Sequence, residues 1–182
     1  MIWNTRRTPQ KDQEAFDRCL DFAFERIEMH LETVGRVGLI VADRPGGGKK
    51  QDEQLLESFL DRVQSGTEYV PPKRVALNIL TTPSHLVRHL QLADLVTGIT
   101  TAMVAGNVKY AGPLIDFVRP LYIQNYLGQV GGTGVKLYPD ALLNLYYWVL
   151  GEAAYGRTRY MAGYTLPREG LPYSQDPFKE AS

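Results

Sequence analysis

The sequence predicts an α/β domain in which helices outnumber strands, and three observations lead there. Apolar residues between positions 11 and 34 recur at helical spacing; VGLIVAD, Val37 to Asp43, is a β-branched apolar run of strand length; and a second helical pattern followed by a second strand-like run comes next, before helices take over. At 182 residues the chain suits one domain with room for a real core. The expected division is an α/β domain over residues 1–155 and an irregular tail over 156–182, rich in Gly, Pro, Arg and Tyr.

In the first helix, residues 11 to 34, the stripe is Phe16, Leu20, Ala23, Phe24, Ile27, Leu31 and Val34, and Gly35 ends it. Val37 to Asp43 reads as a strand covered on both faces, the setting of near-continuous apolar runs in parallel sheets. RPGGGKK breaks the chain sharply. Gln51 to Gln64 forms a second helix with Leu55, Leu56, Phe59, Leu60 and Val63 inward. Beyond Gly66 and Pro71-Pro72, Arg74 to Leu80 is the second strand. Pro83 to Ala105 is a long, largely buried helix, apolar nearly all round its second half. Gly106, Gly112 and Pro113 interrupt the chain before a helical stretch from Leu114 to Leu127. GQVGGTGVKLYPD is a loop with room for a short strand at Val135 to Tyr138, and Pro139-Asp140 start a helix through Trp148. The strand count falls short of a self-sufficient sheet.

Composition narrows the function classes. Twenty basic and twenty acidic residues cancel, so the chain lacks the strong positive charge of many nucleic-acid binders; a local strip of Arg44, Lys49, Lys50, Lys73 and Arg74 remains. The longest apolar-rich run, Leu90 to Gly106, contains Gln91, Asp94 and several threonines, short of the ~20 apolar residues a span requires. No apolar region follows the basic residues of the N-terminus, so no secretory signal and no membrane association are expected. Cys19, the single cysteine, cannot form an internal disulfide, which fits a cytoplasmic location.

The chemistry centres on two aspartates. Asp43 ends a strand just before a glycine-rich loop, where open α/β sheets place ligands and catalytic groups; capping the turn through Arg44-Pro45-Gly46 is the alternative. Asp94 interrupts the apolar helix HLQLADLV, with Val87, Leu90, Gly98, Thr101 and Ala105 along its face, so no local side chain neutralises it. An unpartnered charge in an apolar setting is costly, which calls for a partner from elsewhere in the fold: a cation, a donor or a metal ion. Two such carboxylates suit a hard cation such as Mg²⁺. Other signals are weaker. RPGGGKK departs from the phosphate-loop pattern at Asp43 and Lys50. His85 and His89, four apart, lack a third zinc ligand. A small-molecule enzyme built on the glycine-rich loops would show a deep apolar pocket beside Asp43.

GLIVAD, then SHLVRHLQLADLVTGI, then GVKLYPD together resemble the DUF3800 family of prokaryotic and phage proteins, which have a ribonuclease H-like fold. LQLADLV is the most specific of the three motifs, and the resemblance covers roughly residues 20 to 140. It implies a ribonuclease H-like α/β fold with a reduced sheet and additional C-terminal helices. It also implies a divalent-metal-dependent nuclease, a hydrolase with Mg²⁺ or Mn²⁺ as cofactor and nucleic acid as partner. Asp43 matches the third carboxylate of such a site and Asp94 the fourth, making these the metal ligands. For the glutamate of the first helix, the phrase FERIE offers Glu25 and Glu28: the lettering favours Glu25, the helical position Glu28. Lys49 and Lys50 would contact a phosphate backbone.

The family's opening strand, carrying Asp-Glu-Ser-Gly, has no counterpart in MIWNTRRTPQ. Three expectations follow: a truncated product, strands supplied by another polypeptide, or a shortened homologue without nuclease activity. An uncovered sheet edge predicts a homo-oligomer or a second chain lying against it. The alternative function is a non-catalytic interaction protein, a phage or defence-system component that keeps the fold for binding.

Overall fold

The computed structural model describes residues 9–138, 146 and 149–152. It is an α/β structure in two compact units, Arg7–Asp94 and a second that takes in the chain from Leu95 onward. The first unit holds α1 (Pro9–Thr33), β1 (Val41–Asp43), α2 (Lys49–Ser65), β2 (Leu80–Thr82), a 3₁₀ turn (Ser84–Leu86) and the start of α3 (Arg88–Val104). The second holds the rest of α3, α4 (Val108–Val118) and a 3₁₀ turn (Arg119–Leu121). No helix among the described residues is long and apolar enough to cross a membrane.

α1 follows its apolar stripe. It ends in a Schellman turn: Gly35, at φ 64°, bonds to the Glu32 carbonyl and the Arg36 N–H to that of Leu31. The segment leading into β1 then runs so close to α1 that a Cβ at Gly38 would sit 2.9 Å from Leu31 Cδ2. Phe24 and Phe59 meet edge to face, with ring centroids 6.0 Å apart, and Val75 and Ile79 complete the core of the unit. Leu20, Ile27, Leu31, Ile40, Ala42, Leu56 and Val63 pack around it.

A buried guanidinium joins α1 to α2. Arg62 Nε and Nη2 approach Asp21 Oδ1 at 2.9 and 2.8 Å; Nη2 also donates to the Asp17 carbonyl at 3.0 Å and Nη1 to that of Ser58 at 2.5 Å. A lysine keeps the charge but not the planar fork that serves several acceptors. Arg62→Lys is therefore expected to lower unfolding free energy by about 1–2 kcal/mol, measured by urea titration, because the lost bonds each contribute roughly 1 kcal/mol.

The sheet is smaller than the sequence suggests. β1 and β2 pair in parallel with Val41 opposite Leu80, Ala42 opposite Thr81 and Asp43 opposite Thr82. Upstream, only an isolated bridge, Gly38 to Val75, links the two segments. Between these pairings the second segment carries two more residues than the first, so it bulges. Asn78 holds the bulge: Nδ2 donates to the Leu56 carbonyl, and Oδ1 accepts the Ile79 N–H. The expected strands at 37–43 and 74–80 are thus realised as a short ladder displaced toward β2's end. The Val37–Asp43 segment is also not covered on both faces. Ile40 and Ala42 face the core, while Val37, Leu39 and Val41 are 66%, 56% and 44% exposed.

The expected helix from Pro83 to Ala105 breaks at Val87, which is extended at φ −129°. His85 and His89 consequently lie on different elements. In the second unit α4 runs straight through Gly112 and Pro113, where the sequence suggested an interruption, and stops at Val118 rather than near Leu127. Its buried side is Ala111, Ile115 and Val118, packed with Ile99, Met103, Val130 and Val135. The short strand expected at Val135 to Tyr138 is a single bridge, Gly131 to Val135. Most of the helix expected from Pro139 to Trp148, and the tail, lie outside the described residues. Tyr146, Val149 and Leu150 are buried in the second core.

Candidate functional site

Every residue singled out for chemistry belongs to the Arg7–Asp94 unit. Asp43 closes β1, where the parallel ladder delivers it to the carboxyl end of the sheet, exposed. Its Oδ1 accepts the Ser84 N–H at 2.8 Å. That bond caps the 3₁₀ turn leading to α3 and fixes the carboxylate's orientation. Asp43 thus caps a turn across the sheet, at Ser84, and not the Arg44-Pro45-Gly46 turn that follows it.

Asp94 differs from its expected setting. It stands on an exposed face of α3, between exposed Leu92 and Leu95, and the buried residues of this helix are Ile99 and Met103. No ion pair or side-chain hydrogen bond ties it to a described residue. The apolar letters around it misled, because Leu92 and Leu95 are themselves 46% and 57% exposed. The burial cost that motivated a partner is absent. Gln91, one turn back, donates to the His85 carbonyl at 3.3 Å.

Glu25 and Glu28 are both buried, and both carboxylates are already engaged. Glu25 accepts the Thr67 hydroxyl at 2.7 Å and lies 3.7 Å from Arg26 Nη2. Thr67 in turn accepts the Val70 N–H, so Glu25 steadies the turn after α2. Glu28 Oε1 accepts the N–H groups of Lys73, Arg74 and Val75 at 3.2, 3.0 and 2.9 Å, and Oε2 accepts Arg74 N–H at 3.0 Å. It anchors the segment that bridges to Gly38.

On the glycine-rich loop, Arg44 Nε sits 3.7 Å from Asp52 Oδ2, tying the loop to the first turn of α2. Lys49 pairs with Glu53 at 3.4 Å and remains highly exposed, as is Lys50. A cleft of about 440 Å³ is walled by Gln13, Phe16, Pro45, Gln51, Gln54 and Glu57. Its wall mixes polar side chains with Phe16, Pro45 and Leu55 and does not include Asp43, unlike the deep apolar pocket beside Asp43 that a small-molecule enzyme would show.

Among the described residues no group of three or more His, Cys, Asp or Glu side chains is placed to hold a metal ion. Asp43 and Asp94 are both solvent-facing. Sequence reasoning missed Arg62, although Leu55, Phe59 and Arg62 fall on one face of α2 and Asp17 and Asp21 lie one turn apart on α1. A cation in line with core residues, opposite a carboxylate pair, is the signal that was there to read.

No family model matches the chain, and no curated protein or solved structure matches it either.

Proposed function

We propose that this chain is a ribonuclease H-like protein of the DUF3800 type, a divalent-metal-dependent nuclease or an inactive, truncated relative of one. One observation carries the reading. The order α1, β1, α2, β2, α3, with β1 and β2 parallel, leaves Asp43 exposed at the carboxyl end of one strand and Asp94 exposed on the helix after the other. The resemblance assigns two of its carboxylates to those positions.

The donor chemistry fits Mg²⁺ or Mn²⁺: Mg²⁺ is commonly held by one or two carboxylates, with water and substrate phosphate completing its shell. A bound cation supplies charge that positions an attacking water and offsets the leaving oxygen. The Ser84 N–H on Oδ1 orients Asp43 for this, and no described residue hydrogen-bonds its Oδ2. Lys49 and Lys50, at the start of α2, are exposed where they would contact a phosphate backbone. Glu25 or Glu28 would join such a shell only by exchanging its present hydrogen bonds.

The test is cleavage of single- and double-stranded DNA and RNA with Mg²⁺ or Mn²⁺, alongside calorimetric metal binding. Asp43→Asn and Asp94→Asn are each expected to lower the rate at least tenfold, about 1.4 kcal/mol of barrier, and to weaken metal binding. Cleavage unchanged in Asp94→Asn removes Asp94 from the mechanism.

The second reading is a non-catalytic interaction protein, favoured by the engagement of Glu25 and Glu28 in structural bonds. It predicts no cleavage and no metal binding. Asp94→Asn would then alter neither metal affinity nor, by more than about 0.5 kcal/mol, stability, as is usual for an exposed substitution.

A further inference from the structure

We propose that two copies of this chain pair through the open edge of the Val37–Asp43 segment, which ends in β1, antiparallel across a two-fold axis centred on Leu39. The main chain of the Val37–Asp43 segment alternates in direction. Gly38, Ile40 and Arg44 bond toward the second strand: the Gly38 N–H to the Arg74 carbonyl, the Ile40 carbonyl to the Leu80 N–H, and the Arg44 N–H to the Thr82 carbonyl. Val37, Leu39 and Val41 therefore present their N–H and C=O groups to the other edge, where no described strand lies. Unmet main-chain donors and acceptors on an edge are a template for another strand.

The side chains agree with the main chain. The same three residues form the exposed outer face, continued by Leu80, which is 48% exposed. A strand added to this edge would bring apolar side chains beside them, and strands in parallel sheets normally have both faces covered.

The occupant follows from charge. Between Val37 and Ala42 the segment carries no charge, and it is flanked by Arg36 on one side and Asp43 on the other. Antiparallel pairing of two copies brings each Arg36 to the Asp43 end of its partner; parallel pairing would set Arg36 beside Arg36. The two-fold is also the arrangement that closes at two copies instead of propagating.

Register is then decided by what faces what. Centring on Leu39 places Leu39 opposite Leu39, Val37 opposite Val41, and Arg36 opposite Ala42. Centring on Ile40 places Arg36 opposite Arg44 and Val37 opposite Asp43, a like-charge clash and a charge against an apolar side chain. The inference rests on the open edge alone and stands apart from the nuclease reading.

In the Leu39-centred register the two Leu39 residues form a hydrogen-bonded antiparallel pair, whose Cα atoms lie about 5.5 Å apart. That distance falls within the roughly 4.4–6.8 Å span of a disulfide. The experiment uses the full chain with Leu39→Cys on a Cys19→Ser background, since Cys19 is exposed and would cross-link by itself. Sedimentation equilibrium on the wild type is expected to give the mass of two copies. A glutathione redox couple is expected to trap the Leu39→Cys variant as a covalent dimer. Leu39→Lys is expected to abolish the dimer with the far-UV circular dichroism unchanged. A monomeric wild type, a Leu39→Cys protein that does not cross-link, or a Leu39→Lys protein that stays dimeric overturns the proposal. The first of these would also leave the edge to a strand of different sequence.

Discussion

Glu28→Ala is expected to lower unfolding free energy by about 3 kcal/mol, although the residue makes no contact with the exposed carboxylates. The side chain is 3% exposed and accepts three consecutive N–H groups, Lys73 to Val75, from a segment more than forty residues away. Removing it orphans the Val75 donor in the core, at a cost of roughly 1–3 kcal/mol, while the Lys73 and Arg74 donors lie close enough to the surface to recruit water. Part of the loss is returned, because a charge no longer has to be held out of water. Glu28→Gln keeps one acceptor oxygen and should cost about half as much. Urea titration followed by circular dichroism measures both. Hydrogen exchange at Ala76, whose N–H bonds to Gly38, should accelerate in the alanine variant because its neighbours lose their anchor. Equal stability of Glu28→Ala and wild type would show that the carboxylate is not structural and return it to the candidate metal ligands.

Glu28 also marks how far the sequence can be read. Periodicity located α1 and α2 closely and identified Phe24 and Phe59 as inward, because burial of an apolar stripe is a local property written at 3.6-residue spacing. It placed Glu28 at the flank of that stripe. It had no access to the three donors the carboxylate serves, since the Lys73–Val75 segment reaches it only through the tertiary fold. Asp94 failed for the opposite reason. Its apolar neighbours suggested burial, yet Leu92 and Leu95 are exposed, and whether such a face is covered depends on which element packs there. The bulge before β2 was equally hidden, because the side-chain amide of Asn78 competes with the ladder for main-chain partners. α4 passes through Gly112 and Pro113 because tertiary packing of Ala111, Ile115 and Val118 outweighs the propensity of two weak helix formers. The exposed position of Asp43, by contrast, combines what motif and topology each supply alone: a carboxylate after a strand, and parallel pairing that sets which end of the sheet it occupies.

Phe24→Ala should be the most damaging single change in the first unit, at about 3–5 kcal/mol, the usual cost of emptying a fully buried phenylalanine site. Phe24 is 0% exposed and sits where α1, α2 and the inner sheet face converge, against Phe59, Val75 and Ile79. None of these neighbours can close the void alone. Ile79 is fixed by its place beside β2, and Val75 by the Glu28 carboxylate on its N–H. Phe59 faces Phe24 with its ring inclined 70°, an edge-to-face contact that contributes about 0.5–1.5 kcal/mol beyond area. A double-mutant cycle with Phe59→Ala should therefore be less than additive by about that amount, since either truncation already removes the pair. Phe16 provides the control on the same helical stripe. It is 44% exposed at the rim of the cleft, and Phe16→Ala should cost less than about 1.5 kcal/mol, because at least part of its ring never leaves water. If Phe16→Ala and Phe24→Ala destabilise equally, α1 packs along its whole length, and the core of this unit extends toward its N-terminus beyond the Phe24–Phe59 contact.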